Sequence, residues 1–285
     1  MLNYSVRLSH KVIFALFGGA ILVSTSLGAQ ASEKSTDLFI GGTGAALCTM
    51  QKLADEFKKA HPETQVKVFP SLGSGGGIKA LIAGSLTVSV SSRSLTEAEI
   101  SKNIVAQEIA KTPLVLAANS KTPVSSVTLD QLAAIYAGTT KTWSDGATVR
   151  PVLRPTSDID TAIVRGMSAD LDQAVQSAHQ RDGKNIAITD GDSANELERI
   201  PGSIGTSTLA LVSCEERQIK LLPVNGIEPS KQNLVNSQYP YMKSIYLITN
   251  KNSSPLTQKF VKFINSSAGS TLLEKNGNIA SASAK

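Results

Sequence analysis

Arg154 stands in the stretch "VLRPTSDIDTAIV", residues 152–164, where a short apolar run meets a turn rich in Ser, Asp and Thr. A guanidinium at that junction suits bidentate capture of an oxyanion, because its fork of N–H donors matches two anion oxygens. Two glycine-rich turns point to the same chemistry. "GGTG" at 41–44 and "GSGGG" at 73–77 each follow a strand-like or loop segment and open a helical pattern. A helix start leaves its first N–H groups without intrahelical partners and carries a partial positive charge. Glycine lets an anion approach that backbone closely. Residues 42–45 and 74–77 are therefore candidate anion cradles, with the hydroxyls of Thr43 and Ser74 as extra donors. The ordinary readings stand beside these: glycine serves many strand-to-helix turns, and Ser157, Asp158 or Asp160 can simply cap the following helix.

Catalytic patterns fit less well. "GGTGAAL" lacks the third glycine of a dinucleotide fingerprint, and "GSGGGIK" sets Lys79 at the wrong distance for a phosphate loop, with no Ser/Thr after it. Ser74 has Leu72 where a nucleophile elbow needs glycine. His61 and His179 are the bases available beyond the N-terminal segment, and both helix-end positions read as solvated. The Cys/His inventory is too thin for an ordinary metal site. The chain reads as a binder rather than an enzyme, with no metal and no cofactor.

The elements that must position these residues alternate. Strand patterns at 38–41, 65–69 and 86–90 are separated by helical patterns at 45–60 and 76–83. In the first helix Leu47, Met50, Leu53 and Phe57 recur at spacings of three and four, and His61-Pro62 ends it. A second set follows: a strand near 113–119, helix 129–136, strand 149–154, one long helix 160–178, strand 203–206, strand 244–250, and helices near 258–264 and 270–275. This rhythm predicts an α/β fold with a largely parallel sheet.

The chain of 285 residues carries a formal charge of +5. Arg7 and Lys11, an apolar run at 12–23 and "AQA" at 29–31 have the layout of a cleaved secretory signal peptide over residues 1–31. Its removal takes two cations and no acid. The small remaining excess is scattered, which excludes the dense basic footprint that nucleic acid requires. Cys48 and Cys214 either pair in an oxidising compartment or remain two buried thiols; spacing does not decide.

Together, "GGTGAAL", "GSGGGIKALIAG", "SVSSRSLTEAE", "LDQLAAIYAGTTKTW", "RPTSDIDT" and "PGSIGTSTL" resemble, in order and spacing, the exported phosphate-binding proteins of bacterial ABC importers. The resemblance implies an α/β, two-lobed type II periplasmic binding-protein fold with the ligand cleft between the lobes. It divides the mature chain into a first lobe from 32–114 and 241–285 and a second lobe from 115–240. It also implies a periplasmic monomer that captures phosphate or a similar oxyanion for the membrane subunits of an importer. The implied contacts are the backbone of Gly44 and Ala45, then Ser74, the Ser91–Ser92 turn, Arg154 and Thr161.

Two positions depart from the family pattern. Ser92 stands where an aspartate often accepts the phosphate proton. The usual Gly-Ser-Gly-Thr turn appears as Asp158-Ile159-Asp160-Thr161, one residue further from Arg154, so Asp158 and Asp160 join the candidate site. The alternatives kept open are another oxyanion (sulfate, molybdate, tungstate), a sensor or adhesion module on the same fold, and a phosphoester hydrolase.

Overall fold

The computed structural model describes residues 37–281; the expected signal peptide, residues 1–31, lies outside them. The chain begins with β1 (Asp37–Gly42), α1 (Gly44–Ala60), β2 (Gln65–Val68), α2 (Gly73–Ile82), β3 (Val88–Ser91) and the single turn α3 (Glu97–Ile100). The long β4 (Ile104–Asn119) follows. Next come α4 (Leu129–Ala137), β5 (Arg150–Leu153), α5 (Ile159–Arg165), α6 (Ala169–Gln180), β6 (Asn185–Ile186) and α7 (Asp190–Arg199). β7 (Ser203–Thr208), α8 (Leu209–Glu215), β8 (Ile219–Leu222) and α9 (Lys231–Val235) continue the set. β9 (Met242–Asn250) returns, and α10 (Pro255–Ile264), α11 (Ser267–Lys275) and β10 (Ile279–Ala280) close the described chain.

The strands run in the order β2-β1-β3-β9-β4-β7-β5-β6, with β8 and β10 also paired to β4. The sheet is mixed, which corrects the largely parallel expectation. β1 pairs in parallel with β2 and β3, and β5 with β6 and β7. Between these wings β9 inserts antiparallel to both β3 and β4. The late return of β9 imposes this arrangement, and no local pattern announces it.

β4 explains the two-lobed shape. Its first part, from Ile104 to Pro113, pairs with β9, while Leu114–Ala118 pairs with β7 and Leu116–Asn119 with β8. Ile109 and Ala110 enter one core with Leu38, Ile40, Leu53, Phe57 and Phe260. Leu114 and Leu116 enter another with Leu132, Tyr136, Leu171, Val175 and Tyr239. Successive segments of one strand thus serve two separate apolar interiors.

The expected long helix at 160–178 is two helices. α5 stops at Arg165, and Ser168 caps α6 by accepting a hydrogen bond from the Leu171 N–H. A new N-cap supplies the donors' partner that a continuous helix would have supplied from its backbone. Cys48 of α1 and Cys214 of α8 form a disulfide with Cα atoms 6.0 Å apart. Among the described residues no helix is long and apolar enough to cross a membrane.

Candidate functional site

The glycine-rich turns lie against each other. Gly42 has φ +133°, and a Cβ there would sit 1.9 Å from the Val90 carbonyl oxygen. A Cβ on Gly77 would sit 2.5 Å from Gly42 Cα. The approach of β3 to Gly42, and of α2 to the first turn at Gly77, therefore accounts for these two glycines without a ligand. What the packing achieves is to bring Thr43, Ser74 and Ser92 together. Thr43 Oγ1 and Ser92 Oγ share a hydrogen bond at 2.9 Å, and the Ser92 N–H donates to Ser74 Oγ at 2.9 Å. Ser74 falls inside the first turn of α2, since that helix begins at Gly73 rather than at 76. Gly44 and Ala45 form the buried first turn of α1.

β5 delivers Arg154 at its carboxyl end, and the side chain is only 4% exposed. Its Nη2 donates to Asp158 Oδ2 at 2.8 Å. Nε and Nη1 are buried with no hydrogen-bond partner. Asp158 also caps α5, accepting from the Asp160 N–H at 2.9 Å, so the capping reading holds for it. Thr161 Oγ1 donates to the Arg154 carbonyl oxygen at 3.1 Å. Arg154, Asp160, Thr161, His179, Tyr136 and Thr206 border a cavity of about 10 Å³, space for roughly one water.

Two residues that the sequence reading missed connect these groups. Asp190, at the start of α7, accepts from Thr43 Oγ1 at 3.1 Å through Oδ2, which lies 3.8 Å from Arg154 Nη2. Lys243 of β9 places Nζ 2.5 Å from Asp190 Oδ1 and 2.5 Å from Asp160 Oδ1. The second approach has ion-pair distance without hydrogen-bond alignment, leaving Asp160 Oδ1 with no hydrogen-bond donor. Asp160 Oδ2 accepts from Thr206 Oγ1 at 2.8 Å.

The network therefore holds two cations, Arg154 and Lys243, and three carboxylates, Asp158, Asp160 and Asp190. Burial alone would lower both cations' pKa values, but the facing carboxylates raise them. Burial raises the Asp160 carboxyl, with Asp190 and Asp158 adding to it against Lys243 and Arg154. Burial pushes Asp190 the same way, yet Lys243 and Arg154 outweigh it and hold that carboxyl down to about 2.

Other expected positions differ. Ser91 spends its hydroxyl inside its own turn, donating to the Arg93 carbonyl oxygen at 2.7 Å, and does not join the network. Arg93 forms two 2.8 Å bonds to Glu99, away from Arg154. His179 is not solvated as expected: Nε2 lies 2.8 Å from the Arg154 carbonyl oxygen and Nδ1 2.8 Å from that of Val175. A neutral ring can donate to only one of them. The ring props the Arg154 backbone rather than facing a nucleophile. Among the described residues no group of His, Cys, Asp and Glu is arranged as a metal site.

The comparisons agree with this architecture. The chain is 22% identical over 276 residues to the phosphate-binding protein PstS of Borreliella burgdorferi, covering 94% of this chain and 97% of that one. It is 25% identical over 254 residues to PstS of Bacillus subtilis, covering 85% and 80%. Among solved structures it is similar to a putative phosphate ABC transporter substrate-binding protein with bound phosphate from Clostridium perfringens. That likeness has a TM-score of 0.72 at 21% identity and covers 86% of this chain and 99% of that one. An ABC-type phosphate transport receptor from Vibrio cholerae gives a TM-score of 0.59 at 20% identity, covering 85% and 99%. The family model of the PBP superfamily domain matches residues 28–268, which is most of the chain, and the chain belongs to that superfamily.

Proposed function

We propose that the chain is an exported solute-binding protein that captures an inorganic oxyanion, phosphate first, for the membrane subunits of an ABC importer. It acts as a monomer after loss of residues 1–31. Its lobes are 32–114 with 241–285, and 115–240. The observation that carries this reading is Arg154, a buried guanidinium with two unpartnered nitrogens beside the polar network that reaches Thr43 and Ser74. An anion bound there would satisfy donors that are costly to leave unmade. The names of the relatives point to phosphate. In this reading Gly44 and Ala45 contribute backbone donors, and Ser74, Ser92 and Thr161 line the anion's surroundings.

Thermal-shift screening of dialysed protein against phosphate, arsenate, sulfate, molybdate and tungstate tests it, because a ligand of the native state raises Tm by mass action. Phosphate should give the largest shift, without turnover of a phosphoester. No shift with any of these anions would overturn the reading. A second reading, a sensor or adhesion module with a changed ligand, is favoured by the three carboxylates set against two cations. It predicts a shift with an organic ligand and none with these anions.

A further inference from the structure

Asp190 sits where donors of both lobes converge. Its carboxylate meets a hydroxyl from the start of α1, a guanidinium following β5 and an ammonium on β9. The residue is 3% exposed, so these partners are shielded from bulk water. The fit around it is close: a Cβ on Gly44 would approach Asp190 Cβ to 3.1 Å and the Gly191 nitrogen to 3.3 Å.

Helix capping does not account for this placement. Thr189 caps α7, and Asp192 completes the reciprocal box, so Asp190 is spare for that purpose. A carboxylate in the first turn also favours the helix dipole, but an exposed one does this equally well. Asp130 of α4 and Asp170 of α6 are such cases, in first turns and facing solvent. Asp190 instead points into the network and contacts Thr43, a residue from the other lobe.

Resting on the oxyanion reading, we propose that Asp190 is a built-in competitor for the anion site. Its carboxylate offers the acceptor chemistry of an oxyanion, accepts the Thr43 hydroxyl and stands 3.8 Å from Arg154 Nη2, in the place an incoming anion needs. An anion engages Thr43 and Arg154 fully only when Asp190 lets go, and the α7 start then moves away from Gly44. The contact sets the threshold for binding: an anion that gains less than Asp190 loses is refused. If the displaced state is a tenth of the population, apparent affinity is weakened about tenfold.

The test is titration calorimetry of the full mature protein with inorganic phosphate and with sulfate, using wild type, Asp190→Asn and Asp190→Ser. Both variants should bind phosphate about tenfold tighter than wild type. Carbon-13 NMR of the wild-type Asp190 carboxyl supplies a second readout, and its resonance should move as phosphate saturates. Equal or weaker binding by the folded variants would overturn the proposal, as would an unmoved resonance with phosphate bound. In either case wild-type binding would leave the oxyanion reading standing. If wild type and variants alike bind neither anion, both ideas fall. Should the variants unfold, the wild-type resonance decides.

Discussion

Lys243 Nζ lies 2.5 Å from Asp190 Oδ1, with both residues almost wholly buried. The pair links β9, the returning strand between the lobes, to the first turn of α7. Its electrostatics have a defined pH signature. Asp190 is held at about 2 by Lys243 and Arg154 against the effect of burial, below the usual value near 3.9. A depressed acid contributes stability that is present above its unfolded pKa and lost as pH falls through its folded pKa. Between about pH 4 and 2 the protein should lose roughly 2 kcal/mol from this group. Urea unfolding across that window should show the loss in wild type and not in Asp190→Asn. Parallel pH profiles would remove Asp190 as the cause.

Lys243→Met should be among the most destabilising substitutions in the chain. It leaves Asp160 and Asp190 buried together without their shared ammonium, and breaking a buried pair in this way costs about 3–5 kcal/mol. Adding Asp190→Asn should return part of that loss, with a coupling of about 0.5–3 kcal/mol. Additive effects in a denaturant double-mutant cycle would show that the two side chains do not share an ion pair.

Arg154→Ala should weaken phosphate binding by about 2–5 kcal/mol, the range for truncating a buried charge partner. Asp158 remains to cap α5, so far-UV circular dichroism should be preserved. Arg93 is the control. Its guanidinium is committed to Glu99, whose carboxyl it holds down at about 2. Arg93→Ala should leave phosphate affinity unchanged. Loss of binding in Arg93→Ala but not in Arg154→Ala would reverse the assignment of the cleft cation.

Cys48 and Cys214 are separated by 166 residues, and the bond ties α1 of the first core to α8, whose Leu209 packs in the second lobe. A crosslink closing so long a loop restricts the unfolded chain strongly. The double substitution to serine should cost about 2–5 kcal/mol in calorimetric or denaturant unfolding. Since α1 carries Thr43 at its start, the bond also limits how far that turn can leave the second lobe. Small-angle scattering should show a larger change on phosphate addition after reduction than before it. Identical changes would mean that the bond lies outside the moving region.

Local signals made α1 and Arg154 legible: apolar spacing and a proline stop for the helix, a guanidinium at a strand end for the site. The two residues that complete the network had weaker signals. Lys243 falls on the same strand face as Ile245 and Leu247, both buried, so period-two alternation implied an inward lysine. α7 was announced by Thr189 and Asp192 at capping-box spacing. Nothing local shows that α7 docks on the start of α1, and this docking is what buries Asp190. The break at Ser168 was likewise written as an N-cap within an apolar stripe that otherwise favours one long helix. The antiparallel insertion of β9 depends on a pairing over more than a hundred residues, which composition and periodicity do not encode.

The choice between phosphate and sulfate turns on Asp160. Phosphate near neutral pH keeps at least one proton, which needs an acceptor in a dry cleft. Ser92 stands where the resembling family often has aspartate, and its hydroxyl is engaged with Thr43. Asp158 has both oxygens in use, one on the Asp160 N–H and one on Arg154. Asp160 Oδ1 has no hydrogen-bond donor, and Asp160 borders the same small cavity as Arg154 and Thr161. Burial raises its pKa, with Asp190 and Asp158 adding to the effect. Wild type should therefore bind phosphate more tightly than sulfate, which brings no proton to donate to that carboxylate. Asp160→Asn supplies a donor and should narrow that gap, whereas Asp158→Asn should lower stability by about 1 kcal/mol through the weakened cap and leave the preference in place. As pH falls and Asp160 takes up a proton, the wild-type preference should shrink in the same direction as in Asp160→Asn. Titration calorimetry with both anions on the three proteins measures each of these differences. Equal wild-type affinities would deny Asp160 the acceptor role and widen the proposed ligand from phosphate to oxyanions as a class.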